Sequence, residues 1–371
     1  MQNLNNDELV HWRVSNLDTR GTFDIISLCL STLFICVWNA VHVEVPRSRS
    51  FRDVYSPRFT SFLLGIFMPE FLLFLALNQF VEAQKISVSP LATRKNPWTM
   101  AHSFYALMGG FSNWDSDDDS ESHRANLETW YQRSLVIQCV MKEQPQAIPD
   151  ISVSIIRDRS KAGPLSKALL CAQMLFFCVN SMVRIIQGLP LSLLEITTIA
   201  HSICALGAYA LWWYKPQDVG LGGRTPLART GQEPPLSTVA GHTDAPGMST
   251  ILQGIAATIL LNALYGCPHL LGLHVRFPTT AEHTLWVIST YLVLACPILG
   301  ALAAGVTLLI RLEQRSAKLF AGFVTLSVSI LALVYIFSSG FLLVENIRQV
   351  FNLPAESFLQ PQWTVYFPHF S

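Results

Sequence analysis

The sequence predicts an all-α fold: a polytopic transmembrane helical bundle of about seven spans. Three observations lead there. Apolar stretches of about 20 residues recur along the chain, the length that crosses a hydrocarbon core of ~30 Å at 1.5 Å per residue. Of the 371 residues, 51% are hydrophobic and only 13% are charged, against about 25% charged in soluble domains. Two of the stretches, Leu165 to Gln187 and Leu191 to Tyr214, form a hairpin about Gly188-Leu189-Pro190 and end on Trp212-Trp213-Tyr214, where an aromatic belt would meet the headgroups.

In chain order, residues 1–80 hold a polar tail and spans one (Thr22 to Val43) and two (Phe59 to Phe80, with Pro69-Glu70 near its middle). Residues 81–164 form a long polar loop. Within it Trp98 to Phe111 is apolar for too short a distance to span, which fits an interfacial or re-entrant helix ended by Gly109-Gly110. The hairpin occupies 165–216, and a Gly/Pro/Thr-rich flexible linker follows at 217–248. Spans five to seven fill 249–344; span five meets Pro268 near its end, where a kink or a break is expected. Residues 345–371 read as a surface-lying tail. Seven crossings would put the two chain ends on opposite sides. The connections on the N-terminal side (Arg13, Arg20, Lys215, Arg224, Arg229, Arg311, Arg315 and Lys318) then hold slightly more basic residues than the opposite ones (Arg47, Arg49, Arg52, Arg58, Arg276, Arg348). This leans toward a cytoplasmic N-terminus.

A formal net charge of zero gives no basis for nucleic-acid binding. The cysteines lie mostly in apolar spans and make no disulfide framework. The histidines lack metal-ligand spacing. The acidic run Asp115 to Glu121 has Ser120 and Asn126 where a calcium loop needs Gly and Glu; it reads as a solvated, mobile, metal-free loop. No cofactor motif is present, and the expected partners are the lipid bilayer and a small hydrophobic substrate.

The informative residues are polar ones in apolar surroundings, since a charge at the bilayer centre costs roughly 2.5–3.5 kcal/mol. Glu70 follows Pro69 in mid-span among Phe67, Met68, Phe71 and Phe74. Apolar surroundings favour the neutral acid, which can donate or carry a proton. Glu70 and Glu195 are the candidate catalytic acids. His42, Arg184 and His201 are the candidate substrate-binding residues. Arg184 and Glu195 stand at equal depths on either side of the Gly188-Leu189-Pro190 turn, so they are expected to pair across the hairpin.

Several stretches carry a resemblance: QGLPLSLLEITTIAHSICALGAYALWWYKPQDV, WNAVHVEVP, MPEFLLFLALNQ, HSFYALMGGF, RFPTTAEHTLW and PQWTVYFPHF. They resemble a large family of uncharacterised fungal multi-pass membrane proteins. The resemblance implies topology and a fungal origin, and no reaction or catalytic residue. Where a histidine-cysteine pair is expected, this chain has Gly266-Cys267-Pro268-His269. Two function classes fit these residues. One is a membrane-embedded acid-base enzyme or accessory protein acting on a small hydrophobic substrate in fungal lipid or secondary metabolism. The other is a transporter, channel or sensor.

Overall fold

The computed structural model describes residues 9–16, 19–46, 50–88, 95–112, 130–160, 163–220, 225–226, 247–313 and 318–362. The acidic run at 115–124, most of the linker and the end of the tail lie outside the described residues. Among the described residues, six helices are long and apolar enough to cross a membrane: α1 (Thr22–Ala40), α7 (Pro164–Ile186), α8 (Leu193–Leu211), α9 (Met248–His269), α10 (Thr280–Glu313) and α11 (Lys318–Gln349). Between α1 and α7 come α2 (Phe51–Phe67), α3 (Pro69–Ser87), α4 (Met100–Leu107), α5 (Trp130–Glu143) and α6 (Val153–Asp158). The seven apolar stretches of the sequence are therefore six long helices and one bent pair, α2 and α3.

Helix α8 is the centre of the bundle, packed against α1, α3, α7, α9 and α11. It begins with a capping box, Ser192 and Glu195 closing each other's backbone N–H. Its neighbours take their direction from contacts at its two ends. Arg20, before α1, pairs with Glu195 at the start of α8, and His42, after α1, lies 5.3 Å from the Trp212 ring at the end of α8. The two helices thus run parallel. Helix α7 runs the opposite way, from Lys167 on the Lys215 carbonyl to Arg184 beside Glu195. Helix α11 ends where Gln349 Oε1 accepts from Leu193 N.

Both described chain ends lie at the start of α8. Strand β1 (Leu9–Val10) pairs antiparallel with β2 (Leu353–Pro354), and Thr19 bridges Leu359. Seven crossings would separate these strands, so the expectation of chain ends on opposite sides is corrected: six crossings return the chain to its starting face. The cause is in α2 and α3, which are bent by 118° at Met68. Arg58 of α2 bonds Asp218 beyond the end of α8, and Gln79 of α3 meets Trp212 and Lys215 at that same end. The break instead touches the middle of α8, where His201 meets Ile66. The pair starts at one end of α8, turns beside its middle and returns to the same end, the path of a re-entrant hairpin. Pro69 explains the turn, since it has no N–H to continue the α2 ladder yet suits the first turn of α3.

Helix α4 is wholly buried from Ala101 to Met108, packed on α3 and α5 and capped by Thr99 and His102. Gly109 ends it at φ +83°, a conformation that favours glycine. Pro268 leaves α9 unbroken to His269, because it falls in the last turn, and a 3-10 turn continues to His274.

Candidate functional site

At the break in the re-entrant hairpin the carbonyls of Ile66 and Phe67 lose their helical partners. A buried backbone acceptor without a donor costs about 1–3 kcal/mol, and in a membrane only neighbouring helices can repair it. Ser339 of α11 donates to Phe67 O at 2.7 Å, and His201 Nε2 lies 2.9 Å from Ile66 O. His201 Nδ1 stands 2.9 Å from Thr197 O. A neutral imidazole donates one proton, so it can donate to only one of these two carbonyls.

Glu70, in the first turn of α3, is 5% exposed. The Tyr335 hydroxyl of α11 faces its carboxyl. Neither Glu70 Oε2 nor Tyr335 Oη has a hydrogen bond of normal length among the described residues. Tyr265 and Cys204 lie within reach of the same charge, and Tyr265 stacks edge-on against His201 at 5.3 Å and His269 at 5.0 Å. From here a polar track leads to the face that carries the chain ends. Thr197 Oγ1 is 3.2 Å from His269 Nε2 and accepts from Asn346 Nδ2 at 2.8 Å. Beside Asn346 in the chain, Glu345 meets Arg348, which bonds Glu282 at 2.5 Å.

The other candidates stand elsewhere. Glu195 and Arg184 do pair across the turn, at 3.9 Å, but the stronger partner of Glu195 is Arg20, at 2.5 and 2.9 Å in a forked pair. Ser192 donates its N–H and hydroxyl to the same carboxylate. Arg184 gives its guanidinium hydrogens to the carbonyls of Pro190, Ser357 and Leu359. With these partners in place, both residues clasp the chain ends to the hairpin.

His42 belongs to a third cluster, at the opposite end of α8. There Lys215 is 2% exposed and donates to His42 O and Gln79 Oε1, both at 2.8 Å. Burial drives its ammonium down to about 7, with Glu44 opposing and Arg133 and Lys167 adding to the shift. Burial also holds His42 well below the usual histidine range, and Lys167 and Lys215 push the same way. Among the described residues no group of three His, Cys, Asp or Glu side chains could hold a metal ion.

A family of unknown function, DUF8562, matches residues 3–223. The chain belongs to that family. The match takes in α1 to α8, hence the re-entrant acid, His201 and Glu195, while Tyr265, Tyr335 and Ser339 lie beyond it. No curated protein and no solved structure matches the chain.

Of the five residues singled out from sequence, the structure brings Glu70 and His201 to the same break, joins Glu195 to Arg184, and sets His42 apart. Sequence reading passed over Tyr265, Tyr335 and Ser339, because each is an ordinary residue in an apolar span, and it named His269 and Asn346 without linking either to Glu70. It also passed over Arg20, which stands just before span one and carries no pattern.

Proposed function

We propose that this protein is a proton-exchanging membrane protein, of the transporter, channel or sensor class, with Glu70 as the group that takes up and releases the proton. The observation that carries this reading is the acid at the tip of a re-entrant hairpin at mid-depth. One oxygen there lacks a partner and a polar side-chain track leads away to one face. Discontinuous helices at the midplane are where transporters build their sites, and ionisable residues inside a membrane usually belong to proton or substrate paths. In this reading Glu70 passes its proton by way of Tyr335 and Tyr265 to the His201–Thr197–His269 group, and water at the far face accepts it. The test is proton flux into sealed vesicles holding the full chain. Wild type dissipates an imposed pH gradient, and Glu70→Gln, inserted to the same level, does not. Equal flux from the two proteins rules the reading out.

A second reading rests on one observation of its own. An apolar groove of about 510 Å³ opens beside the break, lined by Phe67, Ile336, Phe337, Gly340 and Phe341. An alkyl substrate lying there would be one helical position from Ser339 and close to the acid. This is the membrane-embedded acid-base enzyme or accessory protein, and in this reading it acts in fungal lipid or secondary metabolism. Its mark is a lipid or metabolite that changes on deletion of the gene and is not restored by Glu70→Gln.

A further inference from the structure

Six crossings change the charge count across the membrane. With the re-entrant pair returning to its own side, the described basic residues on the side where α8 ends are Arg52, Arg58, Lys85, Lys95, Arg133, Lys142, Arg157, Arg159, Lys167, Lys215, Arg311 and Lys318, twelve in all, and all but Lys85, Lys95, Arg133 and Lys142 lie within about 20 residues of a span end. The opposite face has Arg13, Arg20, Arg184, Arg276 and Arg348. Basic residues beside spans stay on the cytoplasmic side during insertion, and acidic residues contribute little to that choice. Counted over seven full crossings the charges nearly balance; counted over six and a hairpin the described ones fall twelve to five.

We infer that the face carrying both described chain ends is the non-cytoplasmic face, and that the side-chain track from Glu70 opens there, toward the exterior or an organelle lumen. The orientation reverses the lean drawn from seven crossings. It stands on topology and charge alone, whereas the direction assigned to proton entry rests on the proposed role of Glu70. The Lys215 cluster then lies at the cytoplasmic surface, as does the α4–α6 region, since α4 packs on α3 and α5. The hairpin gives Glu70 a polar connection to the non-cytoplasmic side through Thr197, His269 and Asn346. On the cytoplasmic side the apolar side chains of Leu73, Ala76 and Ala208 are buried between the break and Gln79. Protons of an acidic lumen or exterior would reach the acid before those of the cytoplasm.

The experiment labels single cysteines, in a Cys139→Ser background, with a membrane-impermeant maleimide. It uses sealed microsomes whose cytoplasmic face is outward, with the exposed Cys267 also changed to Ser and the parent without an introduced cysteine labelled as the reference. Thr279 lies in the exposed connection between α9 and α10, and Lys142 is exposed near the end of α5. Lys142→Cys should label at once, and Thr279→Cys only after detergent opens the membrane. The reverse pattern overturns the orientation, and labelling of both without detergent overturns the six-crossing topology. Repeating the labelling on Glu70→Gln keeps the two claims apart. An unchanged pattern with lost proton flux supports both, and a reversed pattern with lost flux leaves the relay intact but facing the cytoplasm.

Discussion

The Nε2 of His201 lies 2.9 Å from the carbonyl oxygen of Ile66, so the central helix closes a bond that the turn at Met68 opens. The geometry makes His201 a hinge pin for the re-entrant hairpin as well as a member of the polar track. His201→Phe fills the space but removes the donor, and is expected to cost about 1–3 kcal/mol, the penalty of one buried carbonyl left bare. His201→Gln, which can still donate one hydrogen bond, should recover part of the loss. Thermal unfolding in detergent checks this, and equal stability of the Phe and Gln variants would show that Ile66 O is satisfied in another way.

Arg20 and Glu195 are the next coupled pair. Both side chains are mostly buried, at 12% and 2% exposure, and removing one partner of a buried pair costs about 3–5 kcal/mol because the other charge is stranded. Arg20→Met is therefore expected to destabilise the protein strongly, and Arg20→Met with Glu195→Gln to destabilise it less than the two single changes added. Arg184→Met should couple more weakly to Glu195→Gln, since its nearest approach is 3.9 Å and its hydrogen bonds go to carbonyls. A double-mutant cycle measures both couplings; a stronger coupling for Arg184 would reverse the assignment.

Lys215 gives a pH dependence with a definite sign. Its native value is about 7, against 10.5 for an ordinary lysine. Below about 7 both native and unfolded chains hold the proton, and the native state bears the full cost of a buried charge. Between about 7 and about 10.5 the unfolded chain binds more protons, so stability rises with pH across that window and levels off above it. Lys215→Met removes the titrating charge. Melting temperatures measured from pH 7 upward should climb in wild type and stay flatter in the variant; identical slopes would assign the dependence to other groups.

Much of this was legible in the sequence, for physical reasons. Span length and hydropathy reveal crossing helices, and the spacing about Gly188-Leu189-Pro190 matches the depths of Arg184 and Glu195. Pro69-Glu70 marks the unusual point of the second apolar stretch. A proline in an apolar run, however, is compatible with a kink and with a reversal alike. Only contacts at both ends of the pair, Arg58 with Asp218 and Gln79 with Lys215, distinguish them. The chain-end pairing of Leu9 with Pro354 joins residues hundreds of positions apart through backbone bonds, which leave no side-chain signature. The polar track escaped notice because Tyr, Ser, Thr and Asn are tolerated singly in membrane helices. Their significance comes from convergence on one break, a property of packing across α8, α9 and α11.

The central claim is that Glu70 bears an exchangeable proton, and infrared difference spectroscopy on the full chain in lipid tests it most directly. A carboxyl band identified by its loss in Glu70→Gln should change with pH and shift on transfer to heavy water, while Glu195→Gln leaves that band in place. A Glu70 band that responds to neither pH nor deuterium would make the residue a fixed structural acid and contradict the account.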